Sequence, residues 1–425
     1  MKRNRVYLTI VGILLLISTC VYFDFPASLF SPKVITVGFF SDSYWEVQNG
    51  YSHQILNDAI AKFQDKYPDV KIEYESGIQK EDYSNWLSSK ILSDDCPDVF
   101  VVLPDDLNDL AEAGLLQDLS KLYSTDESFS EDSFYEAAFR FGELNGVQYG
   151  LPYECAPRLM LVNKTILDEL NIKMPENDWT WNDLYEICLK IAKTKYYPLS
   201  SYTWQDAFTS NNVELFDDTG SKCDFVSDNI YEALLFLDKL NENFDINGVT
   251  TEMFENGDVA FEPLSFAQYR AYKPYPLSVK KFSNFDLSFV VMPSGYSGDN
   301  NTQLDTVLMA MSKTCSDKNL AYEFMKTLCL DEDIQKEIFT YSEGISPLIS
   351  VTNSEEIKKL LWENFVDTDI INAAMSKAKN NKMFKGYTGA YEQVNSAVNA
   401  ILEGNGNLKT EQIIYNRKIN AYLSE

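Results

Sequence analysis

Residues Gly146 to Lys164 read GVQYGLPYECAPRLMLVNK. A glycine-containing turn leads into a proline, a short polar patch and an apolar run that ends in Asn163-Lys164. Turn punctuation on one side and a strand-like run on the other suit a segment that crosses between two lobes. Glu154 and Arg158 interrupt otherwise small or apolar residues. They are either solvated charges on a loop that feeds an ordinary strand, or charges that a cleft-lining crossover presents to a ligand.

Upstream, Val34 to Phe40 (VITVGFF) is a continuous apolar run that reads as a strand buried on both faces. Ile55, Leu56, Ala59, Ile60, Phe63 and Tyr67 recur on one helical face, and Pro68 ends that helix. Val70, Ile72 and Tyr74 alternate as a strand, Tyr83, Trp86, Leu87 and Ile91 mark a second helix, and Asp98 to Leu103 is a third, buried strand. A helix beginning near Leu107 is capped by Gly114. Strand, helix, strand, helix, strand predicts an α/β domain with a mainly parallel sheet. The first strand is not followed by G-x-G-x-x-G, and G-x-x-x-x-G-K-[ST] is absent, which argues against a dehydrogenase or an ATPase.

Downstream, Thr180 to Asp183 reads as a capping box opening a helix that carries Leu184, Ile187, Cys188 and Ile191. Ser200 to Asp206 reads as a polar loop containing Tyr202 and Trp204, and Ile230 to Leu240 as a helix. Gly257 to Glu262 is a turn with a short strand, followed by an aromatic segment from Phe266. Phe285 to Pro293 and Thr306 to Ser312 read as strands, the loop between them as a second crossover, and Gly344 to Pro347 as a third. Residues 354–424 are mostly helical.

At 425 residues the chain exceeds one ordinary core, so two domains are expected. With 45% apolar residues it is a folded globular protein. A net charge of -28 repels nucleic acid and anionic membrane surfaces, so a neutral or cationic ligand is favoured over a polyanion. His53 is the single histidine, which disfavours zinc sites and histidine-based triads. Seven cysteines, Cys20, Cys96, Cys155, Cys188, Cys223, Cys315 and Cys329, form no CxxC pair, and beyond Cys20 they are either isolated thiols or disulfides of unspecified pairing.

Residues 1–5 are MKRNR, and Val6 to Phe23 is an 18-residue apolar stretch. This is a membrane-targeting segment and implies export. Ile17-Ser18-Thr19-Cys20 resembles a lipobox, with Thr19 where Gly, Ala or Ser is usual, and Cys20 is the lipidation candidate. An uncleaved anchor of nearly the roughly 20 residues that span a bilayer, and cleavage with release, are the other two fates.

The order of these elements resembles the extracellular solute-binding proteins of ABC importers, in particular the sugar-binding family that includes maltose-binding protein. Tyr149-Gly150-Leu151-Pro152 with Leu161-Val162-Asn163-Lys164 matches the family's YGLP…L-x-Y-N-K segment, Val162 replacing Tyr. Pro97-Asp98-Val99, Ala113-Gly114-Leu115-Leu116, Trp181 with Leu184, Gly257 to Phe261, Ala321 to Phe324 and Gly344 to Pro347 follow in the family's order. The resemblance implies a two-lobed periplasmic-binding-protein-like α/β fold with hinge crossovers around a ligand cleft. Lobe one would be 33–150 with 294–345, and lobe two 151–293 with 346–425, behind the 1–32 signal or anchor. It implies non-catalytic capture of a mono- or oligosaccharide by a monomer outside the cytoplasmic membrane, delivery to permease subunits, and no cofactor.

Aromatic rings grip the C–H faces of a sugar, and planar polar groups grip its hydroxyls. By family position the candidates are Asp42, Tyr44, Trp45, Glu154, Arg158, Trp204, Glu262 and Phe266. Arg158 either donates to the ligand or pairs with Glu154. Two other readings remain: a receptor for a peptide, polyamine or opine, and a glycosidase, which would need paired carboxylates at a set separation.

Overall fold

The computed structural model describes residues 33–424 apart from 46–50, 52, 218, 272–284, 364–365, 381–383 and 405. The apolar leader and Cys20 lie outside the described residues. The first half is as the patterning predicts. Strand β1 (Lys33–Gly38) pairs in parallel with both β2 (Val70–Tyr74) and β3 (Val99–Val102), and the helices Gln54–Lys66 and Lys80–Leu92 connect them. Ile55, Leu56, Ala59 and Phe63 bury one face of the first helix. A proline at its first turn begins the helix Pro104–Glu112, and Gly114 after it takes a left-handed φ of +71°. A two-stranded hairpin, β4 (Glu143–Leu144) and β5 (Val147–Gln148), turns the chain into the stretch Gly146–Lys164.

That stretch forms one strand, β6 (Gly150–Asn163), of 14 residues, in which every residue except Arg158 is buried. At about 3.4 Å per residue it runs some 45 Å. Its first part, from Gly150 to Pro157, pairs antiparallel with β10 (Thr302–Met311); its last part pairs with β8 (Val259–Ser265) on one edge and β9 (Leu287–Val290) on the other. Beyond β8 lies β7 (Tyr197–Leu199), and the two-residue β11 (Ala378–Lys379) pairs with the start of β10. The order β2-β1-β3-β10-β6-β8-β7 is therefore one continuous sheet, with β6 and β10 carrying the path from one half to the other. The register shifts between Val307 and Leu308, opposite Glu154 and Pro152. Such a bulge bends a strand; Tyr153 is the residue that the register skips, and its neighbour Pro152 has no N–H to donate.

Three differences from the sequence-based expectation matter. First, β10 begins at Thr302 rather than Thr306, which puts Gln303 and Asp305 on the crossing strand. Second, the expected loop at Ser200–Asp206 is partly the start of a helix, Trp204–Ser210. Thr203 caps it and Asp206 closes a reciprocal capping box, the same device found at Thr180 and Asp183. Third, the helices Ile349–Thr352, Glu355–Trp362 and Thr368–Ser376 follow one another from Glu332–Tyr341, which packs on Gln54–Lys66. Tyr135 Oη donates to Asn372 Oδ1 at 2.6 Å, fastening the last of them to the first half as well. Of the stretch 346–425, it is the helices Tyr387–Glu403 and Leu408–Leu423 that pack on the second half, against Asp228–Phe244. Cys96, Cys155, Cys188, Cys223, Cys315 and Cys329 are free thiols, and all but Cys96 are buried.

Candidate functional site

In a strand, alternate residues share a face. Gln303, Asp305 and Val307 therefore look the same way from β10. On β6 the directly opposed partners Glu154 (of Val307) and Ala156 (of Asp305) look with them, and Arg158 follows at the next alternate place. This shared face is the floor of the candidate site. Val307 and Glu154 line a hollow on the side of the first half with Phe39, Tyr44 and Tyr153. Gln303 lines a cavity of about 220 Å³ on the other side, walled by Trp204, Gln205, Phe208, Tyr387 and Tyr391. Asp305 lies midway between the two.

Asp305 is exposed to water, yet desolvation raises its pKa; the cationic groups of Arg158 and Lys80 act in the opposite sense. Both facts hold together if the carboxylate stands at the bottom of a deep, wet cleft. Its side chain makes no hydrogen bond among the described residues, so its acceptor sites are available to a solute. Arg158 does not pair with Glu154. Its guanidinium meets Asp206 through both Nε–Oδ1 and Nη2–Oδ2, the second at 3.2 Å. Asp206 is fully buried and also accepts from Thr203 N and Oγ1, each at 2.9 Å, so the capping box holds the carboxylate that aims Arg158.

Above this floor, Tyr387 and Tyr391 stack with centroids 5.4 Å apart and planes at 30°. They lie one helical turn apart, so they share a face. Burial pushes the Tyr391 hydroxyl up to about 12, the charges of Asp206 and Asp305 push the same way, and a hydrogen bond with Gln205 opposes them. Burial also raises Tyr387, helped by Tyr391 and by Asp105 at the start of the helix Pro104–Glu112, so the two halves meet electrostatically at this lip.

The remaining expected residues have other duties. Asp42 Oδ1 accepts from Lys80 N at 2.7 Å, an anion at a helix N-terminus. Tyr44 is half-buried, with Lys80 Nζ 4.7 Å from its ring centre. Trp45 is buried and donates from Nε1 to Glu154 Oε1 at 2.8 Å. Trp204 keeps its place at the cavity wall, but only 7% of it is exposed: its ring is wedged between Phe208 and Tyr391, and Nε1 donates to Asn395 Oδ1 at 2.9 Å. Two expectations need correction. Phe266, at 1% exposure, is core packing with no face open to a solute. Glu262 is fully buried, and its Oε1 accepts from Thr251 at 2.5 Å and Ser201 at 3.1 Å, which supports a loop and presents no carboxylate to the cleft.

Glu154 is the centre of a latch. Its Oε1 accepts from Trp45 Nε1, from Ser342 Oγ at 2.7 Å and from Gly344 N at 2.6 Å. A Cβ at residue 344 would stand 2.4 Å from that oxygen, so only glycine allows the approach. Burial raises the Glu154 pKa, while these three bonds and the charge of Arg270 oppose the rise. Arg270 is itself buried and donates to the carbonyls of Gly344 and Phe339, both at 2.6 Å. Burial lowers it to about 10 against the pull of Glu154 and Glu343.

Asp305, Gln303, Tyr387 and Tyr391 were missing from the sequence-based candidates. The YTGAY spacing of Tyr387 and Tyr391 was the visible signal for two of them, and the alternation of Gln303, Asp305 and Val307 for the others.

A continuous sheet crossed by two strands, with a polar and aromatic cleft at the crossing, defines a binding protein of the hinged α/β class. Residues 58–361 match the family profile described as bacterial extracellular solute-binding protein, and the chain belongs to that family. A putative binding protein of Brucella abortus is 22% identical over 323 residues, covering 71% of this chain and 73% of its own length. The maltotriose-binding protein of Pyrococcus abyssi is 30% identical over 125 residues, 29% of this chain. The chain spans only 26% of that relative, and 40% of an uncharacterized lipoprotein of Streptomyces antibioticus to which it is 26% identical over 194 residues. Among solved structures, the sugar-binding protein MalE of Xanthomonas citri superposes with a TM-score of 0.77 at 13% identity, over 92% of this chain and 98% of that one. A substrate-binding protein of Listeria monocytogenes, solved with cycloalternan, gives 0.69 at 19% identity, over 92% and 99%. These superpositions establish the two-lobed fold.

Two outcomes follow for the latch. Glu154→Ala leaves three buried donors without an acceptor and lowers unfolding free energy by about 2–4 kcal/mol, whereas Glu154→Gln retains the acceptor and most of the stability. Urea denaturation measures both, and equal losses would refute the latch. The second outcome concerns Glu343, whose carboxyl burial and then the Glu154 charge raise to about 7, with the Ser43 hydrogen bond and Arg270 opposing. Unfolded, it titrates near 4.3. Between those values the folded state keeps a proton that the unfolded state has lost, so stability falls as pH rises from about 4 to 7 and levels off above. Glu343→Gln removes this contribution and gains up to about 3–4 kcal/mol over wild type at pH 8, with little difference at pH 4. A difference that does not change with pH contradicts the assignment.

Proposed function

We propose that this protein is the solute-capture subunit of an ABC importer and that its solute is a carbohydrate, bound without turnover between the two lobes. The observation that carries this reading is the stacked Tyr387–Tyr391 pair over a floor of Asp305, Gln303 and the oriented Arg158. A sugar offers apolar C–H faces and neutral hydroxyls, and this cleft offers ring faces beside planar acceptors and donors. The maltotriose-binding relative and the cycloalternan-bound neighbour support the same solute class.

Glycoside hydrolysis needs one carboxyl free as acid and a second as nucleophile or base. Here Asp206 is committed to Arg158 and Thr203, Glu262 to Ser201 and Thr251, and Glu154 to the latch. On the shared face of β6 and β10 that leaves Asp305 as the carboxylate without a hydrogen-bond commitment among the described residues, which supports binding over turnover. A polyamine is the second reading, favoured by the open Asp305 carboxylate and disfavoured by Arg158 and Lys80 beside it.

In this reading the first lobe comprises 33–150, most of 294–345 and the helices through 376, and the second comprises the remainder. Closure bends β6 and β10 at the Val307/Leu308 bulge. The permease is the membrane partner, and the N-terminal segment tethers the chain on the outer face, through Cys20 or as an uncleaved span.

Calorimetry of the full-length chain in detergent, against mono- and oligosaccharides and against putrescine and spermidine, tests the proposal. A carbohydrate is expected to bind without products appearing. Asp305→Asn and Tyr391→Ala should each weaken it at least tenfold, or 1.4 kcal/mol. Binding of the polyamines alone, or sugar cleavage abolished by Asp305→Asn, would overturn it.

A further inference from the structure

The helix Tyr387–Glu403 carries Tyr387, Tyr391, Asn395 and Asn399 at steps of four residues, which places them along one slowly turning stripe. The two tyrosines line the cavity described above. The two asparagines line a second cavity of about 410 Å³ on the far side of Trp204. Trp204 and Gln205 line both, so the two cavities share a wall, and the Trp204 Nε1–Asn395 Oδ1 bond spans it. From Tyr387 to Asn399 the stripe covers about 18 Å at 1.5 Å per residue.

The chemistry of the second cavity is that of the first without its floor charges. Ser201, Thr203, Asn241, Asn247 and Asn399 supply neutral donors and acceptors over an apolar base that includes Leu237, Val249 and Leu402. Asp238 is its one charged residue. The side-chain amides of Asn247 and Asn399 make no hydrogen bond among the described residues, so their capacity is unspent. Ser201 holds a left-handed φ of +53°, and its Oγ donates to the buried Glu262. A non-glycine residue in that conformation is held there by its surroundings. Here Glu262 is one of them. An anion finds no cation in this cavity, whereas a neutral polyhydroxyl chain finds amides and hydroxyls along an apolar surface.

We propose that the ligand groove continues past Trp204, and that the solute is a linear oligosaccharide whose distal residues occupy the asparagine-lined cavity. The inference rests on the carbohydrate reading and extends it to chain length. Trp204, pinned by Asn395, then forms the step between a proximal subsite floored by Asp305 and Arg158 and a distal one lined mainly by amides and hydroxyls.

The test compares mono-, di- and hexasaccharides of linear α-1,4-, α-1,6- and β-1,4-glucan and β-1,4-xylan series by calorimetry on the full-length chain. In the series that binds, the hexasaccharide should bind at least tenfold tighter than the disaccharide. Asn399→Phe fills the distal cavity from an exposed helix position and should erase most of that advantage, while Tyr391→Ala weakens both lengths. Thermal melting checks that each variant folds, and Asn399→Leu serves as the smaller replacement if Phe disturbs the helix. Equal affinity at all lengths, binding of monosaccharides alone, or a length advantage that survives both Asn399 substitutions overturns the extension and leaves the carbohydrate reading intact. No heat from any sugar overturns both.

Discussion

The antiparallel pairing of β6 with β10 is the constraint on which the rest depends. Among the described residues, the sheet passes from one half to the other through these two strands, and they are hydrogen-bonded to each other from Gly150 to Pro157. Breaking that ladder would strand buried backbone N–H and C=O groups, so relative motion of the lobes must bend the pair without parting it. The bulge at Val307/Leu308 is where the ladder already skips a residue and where Pro152 donates nothing. The structure thus puts its compliance beside Glu154 and Asp305, the two acidic residues that matter most at the crossing.

Those two carboxylates show how environment divides identical chemistry. Glu154 is buried and spends one oxygen on three donors, from Trp45, Ser342 and Gly344. Arg270 offsets its charge and binds the carbonyls of Gly344 and Phe339. Asp305 lies across the pairing, reaches water and has no such partners. A buried charge without compensation is costly, so Glu154, which is removed from water, is held by three donors, while Asp305 keeps its acceptor sites open. The overall acidity has little to do with this. At the crossing, the charges of Arg158 and Lys80 act on Asp305 against the effect of desolvation.

Much of the fold was legible because it rests on local periodicity. The run from Gly150 to Asn163 announced a crossing strand, the helix faces around Ile55 and Leu184 came out at their expected positions, and Gly114 and Gly257 took the left-handed turns their places demanded. The site was less legible because it is assembled from distant segments. Glu154 and Arg158 were visible as charges in an apolar run, but not that Asp206, 48 residues on, would take Arg158, or that Gly344 would come within 2.6 Å of Glu154. Phe266 and Glu262 drew notice for their residue types, and burial then assigned them to support. Asp305 was overlooked because the strand was expected to begin at Thr306, which left Asp305 outside the crossing pair.

Asp206 shows why assembly and recognition are hard to separate in this protein. Its carboxylate closes the capping box that starts the helix Trp204–Ser210, holds the Arg158 guanidinium, and contributes to the field at the Tyr391 hydroxyl. One buried group therefore fixes the direction of a charged donor on the floor and the place of the aromatic wall above it. Because these orientations are set by the fold itself, a solute need not spend binding energy ordering them, and that is the condition under which a few rings and polar groups suffice for affinity. The same reasoning explains the buried, hydrogen-bonded Trp204. A ring that is held at its edge by Asn395 and packed by Phe208 and Tyr391 presents little area, but it presents that area in one position, and a rigid step is what a groove needs if it is to distinguish one sugar residue from the next.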